Sequence, residues 1–330
     1  MNNLSSPIFI TGHPKSGTTL LTTILDSHPQ LMVLPEESDF YRLIKPAINE
    51  LNKSDISIED KKRIFAKKIF IKSQLRNFLS GKTETHINGN YDYTDFDAER
   101  FKNLILEKVS WNSIDPKSVM LSIIESYEKV IYTNNHSFKY WVEKTPHHIF
   151  FLKEIKHDFP HSKIIFIYRD PRDNYISYLR KKKYLAPTTF SYQWNKCFKN
   201  AENTSNILFI KYEELVKNPD EQIDRLANFL NIEKTESLFH PSKKGVRWTG
   251  NSMFGVKMDS IDSSNLYRYK TLIKSEDQKI IEILCRKNML KYKYPLDFKL
   301  SLTFAIQAYI KDFSYKSKIL LKHSKVKILK

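Results

Sequence analysis

The residues best suited to chemistry lie near the N-terminus, in the sequence TGHPKSGTT at positions 11–19. An apolar run from Ile8 to Ile10 precedes them and an amphipathic segment at 20–25 follows, which predicts a strand, a turn and a helix. A glycine-containing turn at a helix N-terminus directs backbone N–H groups and the positive end of the helix dipole to one point. The loop is therefore predicted to bind a phosphate-like anion.

The spacing of this loop differs from that of the nucleoside triphosphate P-loop, G-x-x-x-x-G-K-[ST]. Gly12 and Gly17 have the required separation, but Thr18 stands where the P-loop has its lysine, and the lysine is Lys15 instead. The Lys15 cation would lie beside the bridging region of a shorter anion. A turn with only a structural role is the alternative. Hydroxyl donors that need no metal ion are available in the same loop: Ser16, Thr18 and Thr19.

A second candidate anion site lies in the middle of the chain. Residues 163–168 (KIIFIY) are typical of a buried strand, and RDPRDNYIS follows at 169–177. The Asp-Pro pair after Arg169 favours a helix start, which places Arg169 at the end of the strand and Ser177 about two turns into the helix. Arginine offers a planar fork for phosphate oxygens, and serine adds a hydroxyl donor. A surface ion pair of Arg169 with Asp170 is the alternative.

In combination, the two motifs resemble those of the sulfotransferase family, whose donor is 3′-phosphoadenosine 5′-phosphosulfate (PAPS). The family's 5′-phosphosulfate loop reads close to P-[KR]-S-G-T-T, which residues 14–19 match at every position, and its 3′-phosphate element has the Arg-to-Ser separation seen at 169–177. The resemblance spans about residues 7–270. It implies that PAPS is the donor co-substrate, that 3′,5′-adenosine diphosphate (PAP) is the product, that no metal is required, and that the two motifs bind opposite ends of one nucleotide. The donor-binding residues it assigns here are Lys15, Ser16, Gly17, Thr18, Thr19, Arg169 and Ser177.

Sulfonate transfer is physically close to phosphoryl transfer, a loose in-line displacement governed by positioning and electrostatics. Lys15 is predicted to stabilise the charge that develops on the bridging oxygen of departing PAP. Lys144 follows a short apolar strand at 140–142 and resembles the family's lysine near the transferred sulfonate. A solvated surface charge is the alternative for Lys144.

The catalytic base is predicted in the sequence PEE, which follows the apolar run 31–34. By resemblance to tyrosylprotein sulfotransferases and their bacterial relatives, Glu36 is the base, with Glu37 as an alternative. A partly buried carboxylate is suited to accept a hydroxyl proton. Cytosolic aryl and steroid sulfotransferases use a histidine after Lys-Thr, so the histidines at 147–148 are further alternatives, although a proline occupies the matching position here.

Three more residues receive roles by resemblance. Tyr212 begins YEEL after an apolar strand at 207–210, where the family's tyrosine approaches the nucleotide. Ser252, in WTGNS, and Arg268, in YRY, resemble late segments of bacterial sulfotransferases that close over the donor. Ser252 would assist at the sulfonate and Arg268 would meet a phosphate, with a flexible surface loop as the alternative. The sequence KKG at 243–245 resembles a phosphate clamp of cytosolic members only superficially, and no role is assigned to it.

The predicted fold is α/β, a P-loop-like three-layer fold with a central parallel sheet. Its alternating strands and helices cover the sheet on both faces and place ligands at the carboxyl ends of the strands. Residues 38–135 are mostly helical in pattern and are predicted to form an insertion on the acceptor side. Together, 1–300 would form the sulfotransferase domain and 301–330 a basic amphipathic C-terminal tail.

The charge balance indicates an anionic partner, because 54 Lys and Arg against 37 Asp and Glu give a net charge of +17. Two cysteines form neither a metal-binding spacing nor a disulfide framework. No long apolar run or signal segment is found, so a cytoplasmic enzyme of bacterial type is expected. The tail has seven lysines after residue 310, opposed only by Asp312. It is predicted either to contact the inner membrane face peripherally or to pack on the core.

The acceptor is predicted to be a hydroxyl on a carbohydrate or glycolipid, including a lipid-linked glycan. A peptide tyrosine is the alternative, because enzymes of both kinds share the Glu-type base. A nucleotide kinase is disfavoured by the displaced loop lysine. A nucleic-acid-binding module would explain the charge but not two phosphate motifs in one chain, so no nucleic acid partner is expected.

Overall fold

The computed structural model describes residues 6–77, 93, 95–132, 137–181, 185–248, 250, 261, 263 and 265–299, with 301, 303, 304, 306, 307, 310 and 313. The chain divides into two compact units. The first comprises Met1–Tyr168 and Asn203–Ser264, and the second comprises Arg169–Glu202 and Asn265–Lys330. The predicted division into 1–300 and 301–330 stays a prediction.

A five-stranded sheet forms the centre of the first unit. Its strands are β1 (Pro7–Thr11), β2 (Leu31–Val33), β3 (Tyr140–Lys144), β4 (Lys163–Tyr168) and β5 (Ile207–Lys211). The strand order is β2-β3-β1-β4-β5, and every neighbouring pair is parallel. Parallel strands need crossover connections, and helices supply them here. The predicted α/β fold with a central parallel sheet is confirmed.

Helices occupy most of the described residues outside the sheet. In chain order they are α1 (Thr18–Leu25), α2 (Lys45–Lys53), α3 (Ile58–Lys67), α4 (Ala98–Lys108), α5 (Pro116–Ile131), α6 (Leu152–Asp158), α7 (Pro171–Lys181), α8 (Pro187–Glu202), α9 (Tyr212–Lys217), α10 (Pro219–Leu230), α11 (Tyr269–Leu272) and α12 (Ser275–Lys291). Single turns of π-helix at Phe40–Ile44 and Lys68–Lys72 adjoin α2 and α3, and short 3₁₀ helices lie at Pro146–Phe150 and Glu236–Phe239. The described residues between β2 and β3 are mostly helical, as predicted; their place on the acceptor side stays a prediction.

The core of the first unit is built around β1, the middle strand, which is buried along its whole length. Phe9 contacts Trp141 edge to face, with ring centroids 5.4 Å apart, and Trp141 contacts Phe159 at 5.6 Å. Such aromatic pairs contribute about 0.5–1.5 kcal/mol each beyond the area they bury. The central strand is thereby fixed against the helix that precedes β4.

The register of the strands determines which loops leave the sheet together. Ile10 is paired with Lys144, and Val33 with Val142. Because parallel strands share one carboxyl edge, the loops after β1, β2 and β3 all leave the sheet at that edge. Leu34 N donates to Val142 O at 2.9 Å, which continues the pairing just beyond β2.

The second unit, within its described residues, consists of α7, α8, α11 and α12. Cys197 on α8 and Cys285 on α12 are both buried, and both are free thiols. Burial raises the pKa of Cys285 to about 12 and raises that of Cys197 as well. Both thiols therefore stay protonated and act as small packing groups.

The C-terminal tail lies largely outside the described residues. Only seven positions beyond 300 are described, so the predicted basic amphipathic surface stays a prediction. A search of the described helices finds none with the length and apolar character needed to span a bilayer.

Candidate functional site

The predicted anion loop connects β1 to α1. A Cβ at Gly12 would lie 2.3 Å from the carbonyl oxygen of Ile167, and a Cβ at Gly17 would lie 2.4 Å from the ring of Tyr212. Gly17 also has a φ of 102°, in the region that favours glycine. Both glycines are therefore required by close contacts, and the predicted donor-pocket residue Tyr212 packs directly on the loop.

The N-terminus of α1 is suited to an anion. Gly17 is the N-cap residue and has no side chain that could accept from the first-turn N–H groups. Thr18 is buried at the first helical position, and Thr19 beside it is half-buried. The dipole and N–H groups of the first turn favour negative charge at this point.

Lys15 and Ser16 form the turn between the two glycines. Lys15 has a φ of 72°, a left-handed conformation that costs a non-glycine residue roughly 1–2 kcal/mol. Ser16 is fully buried, and its Oγ has no hydrogen-bond partner in the described part of the chain. An unsatisfied buried hydroxyl costs about 1–3 kcal/mol, and an anion in the loop would satisfy it. The residues present fit the phosphosulfate end of PAPS.

The loop is anchored to the segment that follows β3. Thr11 Oγ1 and Gly12 N both donate to Pro146 O, at 3.0 and 3.3 Å. Since Ile10 pairs with Lys144, the anion loop and Lys144 leave the sheet side by side. The structure thus brings the two predicted catalytic lysines, Lys15 and Lys144, to the same edge of the sheet.

Lys144 is buried and forms an ion pair with Glu37. Its Nζ lies 2.7 Å from Glu37 Oε1, and its side chain is 7% exposed. The alternative of a solvated surface charge is therefore wrong. The pair occupies the Glu37 carboxylate, whereas Glu36, the preceding residue, has different partners.

Glu36 is a buried carboxylate held by three donors. Asn77 Nδ2 donates to Oε2 at 3.0 Å. Lys243 Nζ donates to Oε1 at 2.7 Å, and the Tyr93 hydroxyl donates to the same oxygen. Charge-assisted bonds of this kind fix a carboxylate in one orientation.

Lys243 was not among the predicted site residues. It lies on β6 (Ser242–Lys243), which pairs antiparallel with β7 (Val246–Arg247). Burial lowers the pKa of Lys243, and pairing with Glu36 opposes this shift only in part. The KKG tripeptide at 243–245 was noticed in the sequence. Nothing in it indicates that Lys243 contacts Glu36, which lies 207 positions earlier.

A buried network holds the loops after β2 and β3 together. Glu143 Oε1 accepts from Ser38 N, Ser38 Oγ and Thr145 Oγ1 at 3.2, 2.7 and 2.6 Å. Its Oε2 lies 2.9 Å from His148 Nδ1. Burial would raise the pKa of Glu143, but His148 and the hydroxyl donors outweigh it and lower the value.

The two histidines considered as alternative bases have other surroundings. His148 is fully buried, with one ring nitrogen facing Glu143 and the other 3.4 Å from Tyr41 N. Burial, followed by the charge of Arg42, lowers the pKa of His147. His148 therefore has a structural environment, whereas His147 is a neutral side chain at physiological pH.

In the second unit, Arg169 and Ser177 lie together as predicted. Arg169 Nη1 is 3.3 Å from Ser177 Oγ, and Arg169 Nη2 donates to Asn265 O at 2.6 Å. The carboxylate of Asp173 is 3.8 Å from Arg169. Both predicted side chains are buried and adjacent, although the two stand eight positions apart on the chain.

Arg268 lies in a segment fixed to α7. Asp173 accepts from Tyr267 N at 2.8 Å and from Tyr269 N at 2.9 Å, on either side of Arg268. Burial raises the pKa of Asp173, and Arg169 opposes this shift. Arg268 itself is half-buried. Ser252 lies outside the described residues.

Arg172 had no role in the sequence-based predictions. Among the described residues of the second unit, its side chain is a fully buried cation. Its guanidinium pairs with Asp170 at 2.7 Å and with Glu282 at 2.8 Å, and lies 4.0 Å from the Tyr269 ring centroid. The proposed surface pair of Arg169 with Asp170 is therefore wrong, because Asp170 pairs with buried Arg172.

Comparison with known proteins identifies the family of this chain. The model of the sulfotransferase family matches residues 7–236. The "Putative protein-tyrosine sulfotransferase" of Caenorhabditis briggsae is 22% identical over 251 residues, which cover 73% of this chain and 70% of that protein. Protein-tyrosine sulfotransferase 1 of Danio rerio is 23% identical over 258 residues, which cover 72% of this chain and 59% of that protein.

Two solved structures share the fold. The sulfotransferase domain from the curacin biosynthetic pathway has a TM-score of 0.56 and 18% identity, covering 89% of this chain and all of that one (100%). The sulfotransferase domain of the Synechococcus PCC 7002 olefin synthase has a TM-score of 0.57 and 16% identity, covering 90% of this chain and 97% of that one. The family match extends over all five strands of the parallel sheet and over the anion loop. The chain therefore belongs to the sulfotransferase family, as an enzyme that uses PAPS as donor and releases PAP.

Proposed function

We propose that this sulfotransferase transfers sulfonate by in-line displacement to a hydroxyl of a carbohydrate or glycolipid, with Glu36 as the general base. The acceptor oxygen forms a bond to sulfur while the bond between sulfur and the bridging phosphate oxygen of PAPS breaks. The acceptor proton passes to Glu36, and the bridging electron pair leaves with PAP. Positioning and electrostatics carry most of such a reaction.

The observation that carries the proposal is the position of Glu36. It follows β2, whose carboxyl end lies at the same sheet edge as the anion loop after β1 and Lys144 after β3. Glu37 is paired with Lys144 beside the loop, whereas Glu36 is paired with Lys243 through Oε1 and, among the described residues, accepts on Oε2 from Asn77 alone. Its burial excludes most water, which favours proton transfer from a bound acceptor.

The lysines have complementary roles in the proposal. Lys15, in the strained turn of the anion loop, stabilises the charge that develops on the leaving phosphate oxygen. Lys144 stabilises the transferring sulfonate, and its pair with Glu37 fixes its orientation. These roles rest on the family resemblance and on the position of each lysine beside the loop.

The anion loop is the proposed site for the 5′ end of PAPS. We propose that its backbone N–H groups and hydroxyls bind that end, the residues being Ser16, Gly17, Thr18 and Thr19. Tyr212 lines the same pocket. Arg169 and Ser177 bind the 3′-phosphate, supported by their 3.3 Å contact. Arg268 meets a phosphate, and Ser252 assists at the sulfonate, by resemblance alone.

An alcohol acceptor is consistent with a buried carboxylate base, although enzymes for both kinds of acceptor share the Glu-type base. A sugar hydroxyl ionises far less readily than a tyrosine phenol, whose ordinary pKa is near 10, so its transfer needs such a base more. A peptide tyrosine is the second candidate, because both protein relatives described above are named protein-tyrosine sulfotransferases. The other partners predicted from the sequence, a lipid-linked glycan and a peripheral membrane contact through the tail, stay proposals.

An acceptor panel tests the choice. Purified protein would be incubated with ³⁵S-labelled PAPS and an oligosaccharide mixture, a glycolipid, a tyrosine peptide and its phenylalanine counterpart. Labelling of the glycan or glycolipid, lost in Glu36→Gln, is expected. Labelling of the tyrosine peptide alone would establish the second candidate, and full activity of Glu36→Gln would exclude Glu36 as the base.

A further inference from the structure

The three donors to Glu36 are distributed unevenly over its two oxygens. An ionised carboxylate has about four lone-pair positions, two on each oxygen. Tyr93 and Lys243 both donate to Oε1, whereas Asn77 alone donates to Oε2. Within the described residues, one lone pair of Oε2 is left for an incoming proton.

Lys243 is the charged member of this set, and it is itself enclosed. The side chains of Lys243 and Glu36 are 12% and 9% exposed. An ion pair removed from water to this extent is screened weakly by salt, and its geometry is fixed by its surroundings. The pair therefore holds the carboxylate more firmly than a surface contact could.

The hairpin of β6 and β7 that carries Lys243 is attached to the end of α1. Asp26, which caps that helix, accepts from Ser242 Oγ at 2.9 Å and from Gly245 N at 3.0 Å. Ser27 Oγ lies 2.5 Å from Ser242 Oγ. Because α1 begins at the anion loop, one eight-residue helix connects that loop to the hairpin that reaches Glu36.

We propose that Lys243 is the positioning residue for the catalytic base: it fixes Glu36 through Oε1 and so presents Oε2 to the acceptor hydroxyl. The proposal rests on the proposed function, in which Glu36 is the base. In the transfer step the acceptor proton moves to Oε2, the acceptor oxygen bonds to sulfur, and the electrons of the broken S–O bond leave with PAP. Lys243 stays protonated throughout and gives up no proton.

One physical effect follows from this arrangement. The hydrogen bond from Lys243 prevents rotation of the Glu36 carboxylate, and a displacement of about 1 Å at a reacting group can cost on the order of 10²-fold in rate. Loss of Lys243 should therefore lower kcat, whereas the binding of PAP should be retained.

The test compares Lys243→Met with Lys243→Arg, and with Arg247→Met as a matched control that removes an exposed cation from the same hairpin. Turnover is measured with the panel acceptor that reacts fastest, and PAP binding is measured by thermal shift. Lys243→Met should lower kcat on the order of 10²-fold while the thermal shift with PAP keeps its wild-type size. Lys243→Arg keeps a cationic donor and should recover most of kcat, and Arg247→Met should leave both quantities unchanged.

A wild-type kcat in Lys243→Met, or a loss of kcat accompanied by an equal loss of PAP binding, would overturn the proposal. If that variant does not fold, as judged by circular dichroism, Lys243→Gln keeps a shorter donor without the charge and must still lower kcat. The proposed function fails separately, through full activity of Glu36→Gln. In the Glu36→Gln background, Lys243→Met should have no further effect on residual turnover, and an added loss would show that Lys243 acts elsewhere.

Discussion

Glu143 Oε1 accepts a hydrogen bond of 2.7 Å from Ser38 Oγ, across 105 positions of the chain. Ser38 directly follows the acidic pair Glu36-Glu37, and Glu143 directly precedes Lys144. One buried carboxylate thus fixes the loop that carries the proposed base to the strand that carries the proposed sulfonate lysine. The hydrogen bond between Ser38 and Glu143 has a structural role, and it determines the positions of Glu36 and Lys144.

Replacement of Glu143 by alanine should destabilise the fold strongly. The change leaves two Ser38 donors, the Thr145 hydroxyl and His148 without their buried acceptor, so a loss of about 3–5 kcal/mol is expected. Urea unfolding followed by circular dichroism measures it. Glu99→Ala, at an exposed position of α4, is the control and should change stability by less than about 0.5 kcal/mol. Equal midpoints would contradict the role of the network.

The same carboxylate predicts how stability depends on acidity. The pKa of Glu143 is lowered in the fold, because His148 and the hydroxyl donors outweigh burial. Its stabilising contribution is therefore complete above its ordinary value of 4.5 and is lost as pH falls through the lower folded value. Urea midpoints measured from pH 6 down to pH 3 should fall more steeply for the wild type than for Glu143→Gln. Parallel curves would show that another group controls the acid transition.

Gly17→Ala should abolish donor binding and destabilise the protein. The added Cβ would approach the Tyr212 ring at 2.4 Å, and alanine is disfavoured at a φ of 102°. Gly245→Ala is a matched control, because its φ of 72° carries a similar backbone penalty but its Cβ would meet no atom within 4 Å. Thermal melting with and without PAP should show a larger loss for Gly17→Ala and no shift with PAP. Equal losses in the two variants would mean that the ring contact has no energetic consequence.

Local patterns predicted the sheet and the anion loop, because an apolar strand followed by a glycine turn is encoded within about twenty residues. The same is true of Arg169 and Ser177, which one helix brings together. The pairing of Glu37 with Lys144 and of Glu36 with Lys243 joins positions 107 and 207 apart. Periodic patterns of apolar residues describe single helices and strands, so they do not predict such distant contacts. A strand of two residues, such as β6, is also too short to show an alternation of apolar and polar residues. The electrostatics of the base therefore became visible only in the fold.

PAP should stabilise the protein in the absence of magnesium, whereas ATP should do so much less. The Ser16 hydroxyl, without a partner among the described residues, and the first turn of α1 without a side-chain cap favour an anion. Lys15 does not occupy the position at which a P-loop has the lysine that contacts the β- and γ-phosphates of ATP. A ligand at a hundred times its dissociation constant stabilises the native state by about 2.7 kcal/mol. Thermal shifts with each nucleotide, with and without Mg²⁺, measure this. A larger shift with ATP and Mg²⁺ would favour a phosphotransferase instead.

Arg169→Ala should remove the preference for PAP over AMP, which lacks the 3′-phosphate. If Arg169 and Ser177 bind that phosphate, wild-type protein should bind PAP more tightly than AMP, and the variant should bind both alike. Isothermal titration with the two nucleotides gives the dissociation constant of AMP divided by that of PAP, a ratio that measures the preference for PAP. Loss of one charge-assisted contact to phosphate corresponds to about 1.5–3 kcal/mol, or roughly 10- to 150-fold in that ratio.

Arg286→Ala, a half-buried arginine on α12 of the same unit, is the matched control and should keep the wild-type ratio. Because Arg169 also donates to Asn265 O, the variant would also loosen the segment that carries Arg268. Ser177→Ala removes the hydroxyl and leaves that second contact in place, so it should lower the ratio in the same direction by a smaller factor. An AMP-to-PAP ratio of dissociation constants that both variants leave at the wild-type value would remove the 3′-phosphate role from this pair.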